Sequence, residues 1–394
     1  MNNPLLSNSA LPEFSKIKPE HVKPAVEQAI AKCKQVIEQV LDNTSGFTWA
    51  NLVMPLDEAD DILGKLWSPV SHMNSVVNSD ELRDAYESCL PILSEYSTFV
   101  GQHQALFLAY QQLADSSEYQ QLDTAQQKVI DNALRDFKLS GIALNNADKK
   151  RYGEIATRLS ELSSGFGNNL LDATHAYNVN ITDEAELAGL PESAKEAAAA
   201  LATEHEKTGW LFTLDIPSYL PVMMYCDNQA LREKLYRGYV TRASDQGPNA
   251  GEFDNSDTML ELLKLRHELA LLLGFSSFAE QSLATKMANS TEEVIGFLED
   301  LATKSKTQGQ QDLSELTAFA KSDYNQTNLQ PWDLPYYSEK LKQSRYAISD
   351  EELRPYFPEE KVVSGLFEVV HRLFGLSIKA VEGVDTWHND VKFY

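Results

Sequence analysis

The chain has 394 residues, of which 43% are hydrophobic and 23% are charged, a composition typical of a folded globular protein and not of a disordered one. It carries 34 Lys and Arg against 58 Asp and Glu, a net charge of −24, so it lacks the basic excess of nucleic-acid-binding proteins. An acidic surface favours cationic ligands, but it is more commonly a solubility device.

Amphipathic helices are the first elements that the sequence predicts. Apolar residues recur with a period of about 3.6 over residues 22–41 and again over residues 155–170, and the stretch between them contains further runs of this kind. Pro19 and Pro24 fall near the start of the first helix, where a missing amide donor is least costly. We therefore expect a bundle of long helices and assign residues 1–178 to an N-terminal helical domain.

A β signal follows in the middle of the chain. The segment GWLFTLDIPSYLPVMMYC is rich in aromatic and branched residues, and Pro217 and Pro221 divide it. Such a pattern predicts short edge strands or a hairpin near residues 210–226. The polar segment before it, NVNITDEAELAGLPES, is predicted only as a break in the helical pattern.

Helical patterns resume at Asn228 and continue through most of the remaining chain. Thr291 and its acidic neighbours predict a helix start, although Val294 stands where a strict capping box places an acid. We assign residues 179–390 to a second helical region. Residues 391–394, VKFY, alternate as in a strand but have no following strand to pair with, so we expect a truncated chain.

The cysteines and the N-terminal sequence bear on the cellular compartment. Cys33, Cys89 and Cys226 are far apart and form no Cys-x-x-Cys pair, so neither a disulfide framework nor a thiolate zinc site is predicted. The N-terminal sequence has no signal-peptide pattern, and no apolar run approaches the ~18 residues of a membrane span. We expect a cytoplasmic protein with neither a membrane nor a nucleic-acid partner.

One stretch, RHELALLLGF at residues 266–275, shares its first letters with a zinc-protease motif. In H-E-x-x-H, two histidines one helical turn apart bind the metal, and the glutamate activates its water. His267 and Glu268 are present, but Leu271 occupies the position of the second histidine. A zinc site needs at least three protein ligands, so we interpret the pair as ordinary helix surface.

Two other pairs receive the same interpretation. Glu368 and His371 have the spacing of half a di-iron carboxylate site, but such a site needs a second Glu-x-x-His, and no other histidine provides it. Trp387 and His388, beside the terminal segment, are expected to serve packing.

The sequence contains no nucleophile elbow G-x-S-x-G, no P-loop and no G-x-G-x-x-G. Gly165 and Gly167 lie within a helical pattern rather than after a strand. We therefore predict that the chain contains no catalytic, cofactor-binding or metal-binding residue.

Several segments nevertheless occur in an order that is specific as a set. They are FSKIKPEHVKPAV, ATRLSELSSGFGNNLLDAT, LAGLPESA, TLDIPSYLPVMMYC, LREKLYRGYVTRASDQGPNAGEFDN, LKLRHELALLLGFSSFAEQSLATKMANS, PWDLPYYSEK and LRPYFP. On these segments the chain resembles, along its whole length, the thimet oligopeptidase family of zinc peptidases.

The resemblance implies a mainly α fold, the multi-helix lobe of a two-lobed zinc metalloendopeptidase with a channel between its lobes. Short peptides would be its substrates. In the family, the RHELALLLGF-like helix belongs to a non-catalytic wall, and the true H-E-x-x-H lies later in the sequence. The resemblance makes residues 179–390 the beginning of the peptidase-family domain and residues 391–394 the first strand of a catalytic subdomain that is missing. No zinc ligand or catalytic residue of the family is therefore carried onto a position of this chain, which we expect to bind no zinc and to be inactive without its missing catalytic part.

A second function remains open at this point. The helical lobe alone could serve as a non-catalytic peptide-binding or scaffold protein. The two hypotheses differ in one feature, the presence of H-E-x-x-H in the complete protein.

Overall fold

The computed structural model describes residues 3–7, 9–42 and 46–394. These residues form a mainly α fold with one two-stranded antiparallel sheet, which confirms the predicted fold class. The elements are α1 (Pro19–Leu41), α2 (Met54–Val76), α3 (Asp80–Glu87), α4 (Leu90–Gly101), α5 (Gln104–Ala114), α6 (Thr124–Leu139), α7 (Asn146–Ala176), β1 (Asn178–Ile181), α8 (Glu192–Glu204), β2 (Trp210–Thr213), α9 (Ile216–Tyr225), α10 (Gln229–Val240), α11 (Ser256–Leu272), α12 (Phe278–Leu283), α13 (Thr291–Tyr324), α14 (Leu334–Tyr346), α15 (Asp350–Leu353) and α16 (Glu359–Phe374).

The first helix shows how the apolar period produces the bundle. α1 begins at Pro19, where the helix has no internal hydrogen bond to lose. Pro24 lies inside the helix, in its second turn, where the missing amide removes one internal hydrogen bond. Its periodic apolar residues are buried against α2 and neighbouring helices, because they share one face at a 3.6-residue period. The buried residues are Val22, Ala25, Val26, Ala29, Ile30, Cys33, Ile37 and Val40.

Only the first part of the segment predicted as a hairpin, residues 210–213, forms a strand. β2 (Trp210–Thr213) pairs with β1, with Ile181 opposite Trp210, and residues 216–225 form a helix, α9. Pro217 is the second residue of that helix, a position that tolerates proline, so the feature interpreted as a strand divider belongs to a helix start. The sequence of the partner strand β1, NVNI, alternates polar and apolar residues, which is the pattern of a strand. The apolar Val179 and Ile181 are its buried residues.

The helix start predicted at Thr291 is confirmed, with its cap one residue earlier. Ser290 is the N-cap of α13, and its hydroxyl accepts a hydrogen bond from the Glu293 amide. Glu293 is therefore the acid at the third helical position, as a capping box requires. The apparent mismatch at Val294 came from counting the motif from Thr291 instead of from Ser290.

Residues 391–394 are not paired in a strand ladder in the described structure, and the expectation that they open a further subdomain stays a prediction. The Phe393 carbonyl accepts one backbone hydrogen bond, from the Val381 amide, at 2.9 Å. One such bond closes a loop but does not make the ladder that defines a strand.

The described chain divides into two compact units that interleave along the sequence. The first comprises Met1–Ser164, Glu261–Ala284 and Lys379–Tyr394, and the second comprises Gly165–Leu260 and Thr285–Ile378. Each unit combines separate segments of the chain, so the units do not test a division at two positions along the sequence. The domain division predicted at 178/179 and 390/391 stays a prediction. Among the residues described, no helix is both long and apolar enough to cross a membrane.

Each unit has its own core. In the first unit, α1 to α6 bury two neighbouring apolar clusters around Val26 and Leu113. In the second, the two strands pack with α8, α9 and α10 around Phe212 and Leu235. Cys33, Cys89 and Cys226 are buried free thiols in these cores, so the cysteines pack as small apolar residues.

Candidate functional site

The structure places His267 and Glu268 on the surface of α11, within the first unit. The His267 side chain is exposed, whereas Glu268 is bound on both carboxylate oxygens. Arg151 donates from Nε to Oε1 at 2.6 Å and from Nη2 to Oε2 at 2.8 Å. A carboxylate engaged in this way by a guanidinium is not available as a general base. Leu271, where a second histidine would stand, is 55% exposed.

The same bidentate pair occurs again one heptad away. Arg158 donates to Glu261 at 2.7 and 2.9 Å. The earlier arginine of α7 binds the later glutamate of α11, and the later arginine binds the earlier glutamate. The two helices therefore run antiparallel. Next to the pairs, on the same two helices, lies a small apolar cluster formed by Ile155, Leu162, Leu262, Leu265 and Leu269. In coiled coils, charged pairs beside an apolar seam set the choice and the orientation of the partner helix.

These pairs carry a sequence signal that local pattern reasoning missed. Arg151 and Arg158 are seven residues apart on one predicted helix, and Glu261 and Glu268 are seven apart on another. Each half is unremarkable alone, and only the matching of the two spacings points to a pair of antiparallel helices. The glutamate of the apparent protease motif is thus part of an ion pair between α7 and α11.

Loss of the Glu268 charge should lower stability at neutral pH. Hydrogen bonds from Arg151 lower the pKa of Glu268 in the folded state. The stabilisation is therefore complete above the unfolded-state pKa of ~4.3 and disappears as the pH falls through the lower folded-state pKa. We expect Glu268→Gln to be slightly less stable than the parent at pH 7 and equally stable well below pH ~4 in urea titrations.

The charge-swapped variant Arg151→Glu with Glu268→Arg is the matched control, and it should recover part of the lost stability at pH 7. A difference between Glu268→Gln and the parent that persists unchanged into acid would rule out the ion pair as its source.

Leu271→His should not create a zinc protease, although it completes the letters H-E-x-x-H. The new imidazole would lie on an exposed surface, and Glu268 is already bound by Arg151. We expect no stoichiometric zinc by metal analysis of the dialysed variant and no peptide hydrolysis that a chelator abolishes. One tightly bound zinc ion per chain would show that this surface had been misinterpreted.

The structure also shows the contacts of the other two pairs, Glu368 with His371 and Trp387 with His388. On α16, Glu368 forms an ion pair with Arg372, and His371 Nδ1 lies 3.1 Å from the Leu376 carbonyl oxygen. Trp387 packs edge to face with Phe14, at 5.1 Å between ring centroids. The packing role predicted for Trp387 is therefore confirmed, whereas the His388 side chain is more than half exposed.

Trp387 belongs to a short loop that is anchored to the start of the chain. Its ring also lies 4.3 Å from that of His72, and the Asp385 carboxylate accepts hydrogen bonds from the Ser15 hydroxyl and amide. Gly165 and Gly167 both lie inside α7, as the helical pattern predicts.

A groove of about 940 Å³ lies within the first unit. It lies between α4, α5 and α7, with Phe99 and His103 at one side and Lys150 and Glu154 at another. Burial lowers the pKa of His103, and its Nδ1 accepts from the Leu106 amide at 3.3 Å. His103 is therefore a neutral cap of α5, and the groove has mixed charge without a nucleophile and base in contact.

The residues that the structure describes include no group of three or more His, Cys, Asp or Glu side chains that could hold a metal ion. A zinc centre of the kind implied by the resemblance therefore does not fit the side chains of this part of the protein.

Comparison with known proteins agrees with the resemblance. Residues 222–394 match Peptidase family M3, and residues 26–149 match the family described as Neurolysin/Thimet oligopeptidase, N-terminal domain. All 394 residues align with the oligopeptidases A of Salmonella typhimurium and Escherichia coli, each 60% identical. The probable cytosolic oligopeptidase A of Arabidopsis thaliana is 38% identical over 403 aligned residues.

The chain spans 58% of the length of each bacterial relative and 56% of the plant relative. The alignments nonetheless include every residue of this chain, and the two family matches follow one another along it in the order N-terminal domain, then peptidase domain. The chain belongs to the thimet oligopeptidase family, peptidase family M3.

Proposed function

We propose that this chain is the helical part of a cytoplasmic zinc-dependent oligopeptidase that hydrolyses short, unstructured peptides. One observation carries the proposal, the 60% identity to two bacterial oligopeptidases A along all 394 residues. Buried free thiols in both units and the cytosolic designation of a plant relative support the cytoplasmic location.

The role proposed for this chain is to bind and admit substrate, not to perform the chemistry. The zinc ligands and the catalytic glutamate would belong to residues that the relatives have and this chain does not match. We assign no step of hydrolysis to a residue of this chain, because Glu268 is engaged by Arg151 and the described side chains offer no metal site. Helices that line a channel would restrict entry to peptides without folded structure.

Hydrolysis assays on two proteins test the proposal. One is the 394-residue chain, and the other is the same chain joined to the residues of the Escherichia coli relative that it does not match. We expect no cleavage of a short fluorogenic peptide by the first and chelator-sensitive cleavage by the second. Chelator-sensitive hydrolysis by the 394-residue chain alone would place the catalytic site within it and refute this division of roles.

The reading frame beyond codon 394 provides an independent test. A continuation in frame that encodes H-E-x-x-H supports the peptidase. A stop codon there, together with peptide binding by the 394-residue chain and no hydrolysis by the joined protein, supports the non-catalytic peptide-binding alternative.

A further inference from the structure

One helix of the second unit exposes an apolar face to solvent. α16 contains no buried residue, although its apolar residues recur at helical spacing. Four of them follow at steps of four, three and four residues and so share one face, here called the α16 stripe. The stripe consists of Val362, Leu366, Val369 and Leu373, which are between 48% and 69% exposed.

A second helix of the same unit is exposed over most of its length. Every residue of α13 from 295 to 315 is exposed, and these include Ile295, Leu298 and Leu301. Only the last turns of α13 are anchored in a core, by Leu316 and Ala320 against tyrosines of α14. Because tertiary packing supplies most of the stability of helices in proteins, an exposed stretch of this length indicates a missing contact.

The charges argue against two possible occupants. A membrane surface attracts Lys and Arg, but the chain carries a net charge of −24 and α16 itself contains Glu359, Glu360 and Glu368. A second copy would bring the same large negative charge with it, which opposes association. The occupant should instead present apolar residues without adding a second −24 charge.

The comparisons point to one occupant of this kind. Both helices lie inside residues 222–394, which match the peptidase domain of the family. The two bacterial relatives align with the whole chain, and yet the chain spans only 58% of their length. The relatives therefore contain polypeptide of the same protein that is available to cover these helices.

We propose that the α16 stripe and residues 295–315 of α13 form a docking surface for the part of the peptidase that this chain does not match. The inference rests on the proposed function, since that part would carry the hydrolytic site. Contact with α13 and α16 would hold the two parts together as one enzyme.

Cysteine reporters test this surface in the 394-residue chain and in the joined protein. Cys33, Cys89 and Cys226 are buried, so an introduced surface cysteine is labelled selectively by a thiol reagent. Leu366→Cys reports on the stripe and Leu298→Cys on α13. Ser364→Cys is the matched control, because Ser364 is exposed on the side of α16 opposite the stripe.

In the 394-residue chain, all three reporters are expected to react rapidly. In the chain joined to the unmatched residues of Escherichia coli oligopeptidase A, we expect labelling of Leu366→Cys and Leu298→Cys to slow at least ~10-fold, with Ser364→Cys unchanged. Equal labelling rates in the two proteins would overturn the proposal. Protection in the 394-residue chain that rises with concentration, alongside dimers by light scattering, would identify a second copy as the occupant and also overturn it.

A second measurement does not depend on the joined protein. The variant Leu366→Glu with Leu373→Glu should leave the thermal unfolding midpoint of the 394-residue chain unchanged, because the stripe covers nothing there. A lowered midpoint would show that the stripe is already packed within the chain and would refute the surface.

The surface and the proposed function fail separately in these tests. A joined protein with protected reporters but no hydrolysis refutes only the function. An active joined protein whose reporters stay reactive refutes only the surface.

Discussion

Asp333→Ala is expected to be among the most destabilising single substitutions in this chain, at about 3–5 kcal/mol of unfolding free energy. Asp333 is completely buried, and its carboxylate accepts a hydrogen bond from Arg232 Nη2 at 2.7 Å. Arg232 is only 2% exposed. Removal of the carboxylate would therefore leave a guanidinium buried without a counter-charge, in a protein whose total stability is of the order of 5–15 kcal/mol.

The surroundings of the pair explain why it cannot simply relax. Asp333 Oδ2 also accepts from the Gln229 amide side chain at 2.8 Å and from the Gln330 backbone amide at 3.0 Å. Arg232 donates to the Cys226 carbonyl at 2.6 Å and lies 4.1 Å from the centre of the Tyr336 ring. The network thus joins the end of α9, α10 and the start of α14, and the substitution would orphan several donors at once.

Two further variants distinguish loss of the charge pair from loss of packing. Arg232→Met with Asp333→Leu removes both charges and should be more stable than Asp333→Ala, because a buried pair is often replaceable by apolar residues. Asp300→Ala is the control on the surface, since Asp300 pairs with Lys304 at 2.7 Å and both side chains are more than half exposed. It should change the unfolding free energy by less than ~1 kcal/mol.

Urea titrations followed by circular dichroism provide the measurement for all three variants. If Asp333→Ala costs no more than Asp300→Ala, the buried pair is not a determinant of stability. A double variant as unstable as Asp333→Ala would instead point to shape and packing at this position.

Local sequence patterns were sufficient to predict the elements that depend on neighbours along the chain. The period in α1 predicted both the helix and its buried face, and the tolerance of Pro19 followed from the lack of internal bonds in the first turn of a helix. The start of α13 was predicted for the same reason, with an error of one residue in its cap. These properties are set within one or two helical turns.

The interactions that were missed join residues far apart in sequence. Arg232 and Asp333 are separated by 101 positions, and Arg151 and Glu268 by 117. A charged residue has the same appearance in a sequence whether it is exposed to water or buried with a partner, so no single-residue signal could identify these pairs. In the sequence, the segments LREKLYRGYV and PWDLPYYSEK contribute only to the family resemblance. In the structure, they provide Arg232 and Asp333 to one network.

The candidate site was predictable only in part, for a similar reason. Sequence spacing excluded a complete H-E-x-x-H at His267, since Leu271 takes the second ligand position. It could not say what Glu268 does, because that depends on α7. The prediction that this chain contains no catalytic or metal-binding residue remains a prediction, which the assays on the chain and the joined protein address.

Gly209→Ala is the second substitution for which we expect a large effect, about 3 kcal/mol of lost stability. Gly209 precedes β2 with φ of +93°, a conformation that costs an L-residue ~1–2 kcal/mol. An added Cβ would also lie 2.1 Å from the Ile181 carbonyl oxygen. That oxygen belongs to the last residue of β1, so it can move away only by disrupting the strand pair.

Gly251→Ala separates the two contributions. Gly251 lies in the same unit with a similar φ of +80°, but an added Cβ would meet no atom within 4 Å. It should therefore show the conformational cost alone, ~1–2 kcal/mol, and the excess loss in Gly209→Ala measures the steric clash with β1. Chemical denaturation of both variants gives the comparison. Equal losses would mean that β1 moves away from the new methyl group at no further cost. Pairing of the two strands would then not require a glycine at position 209.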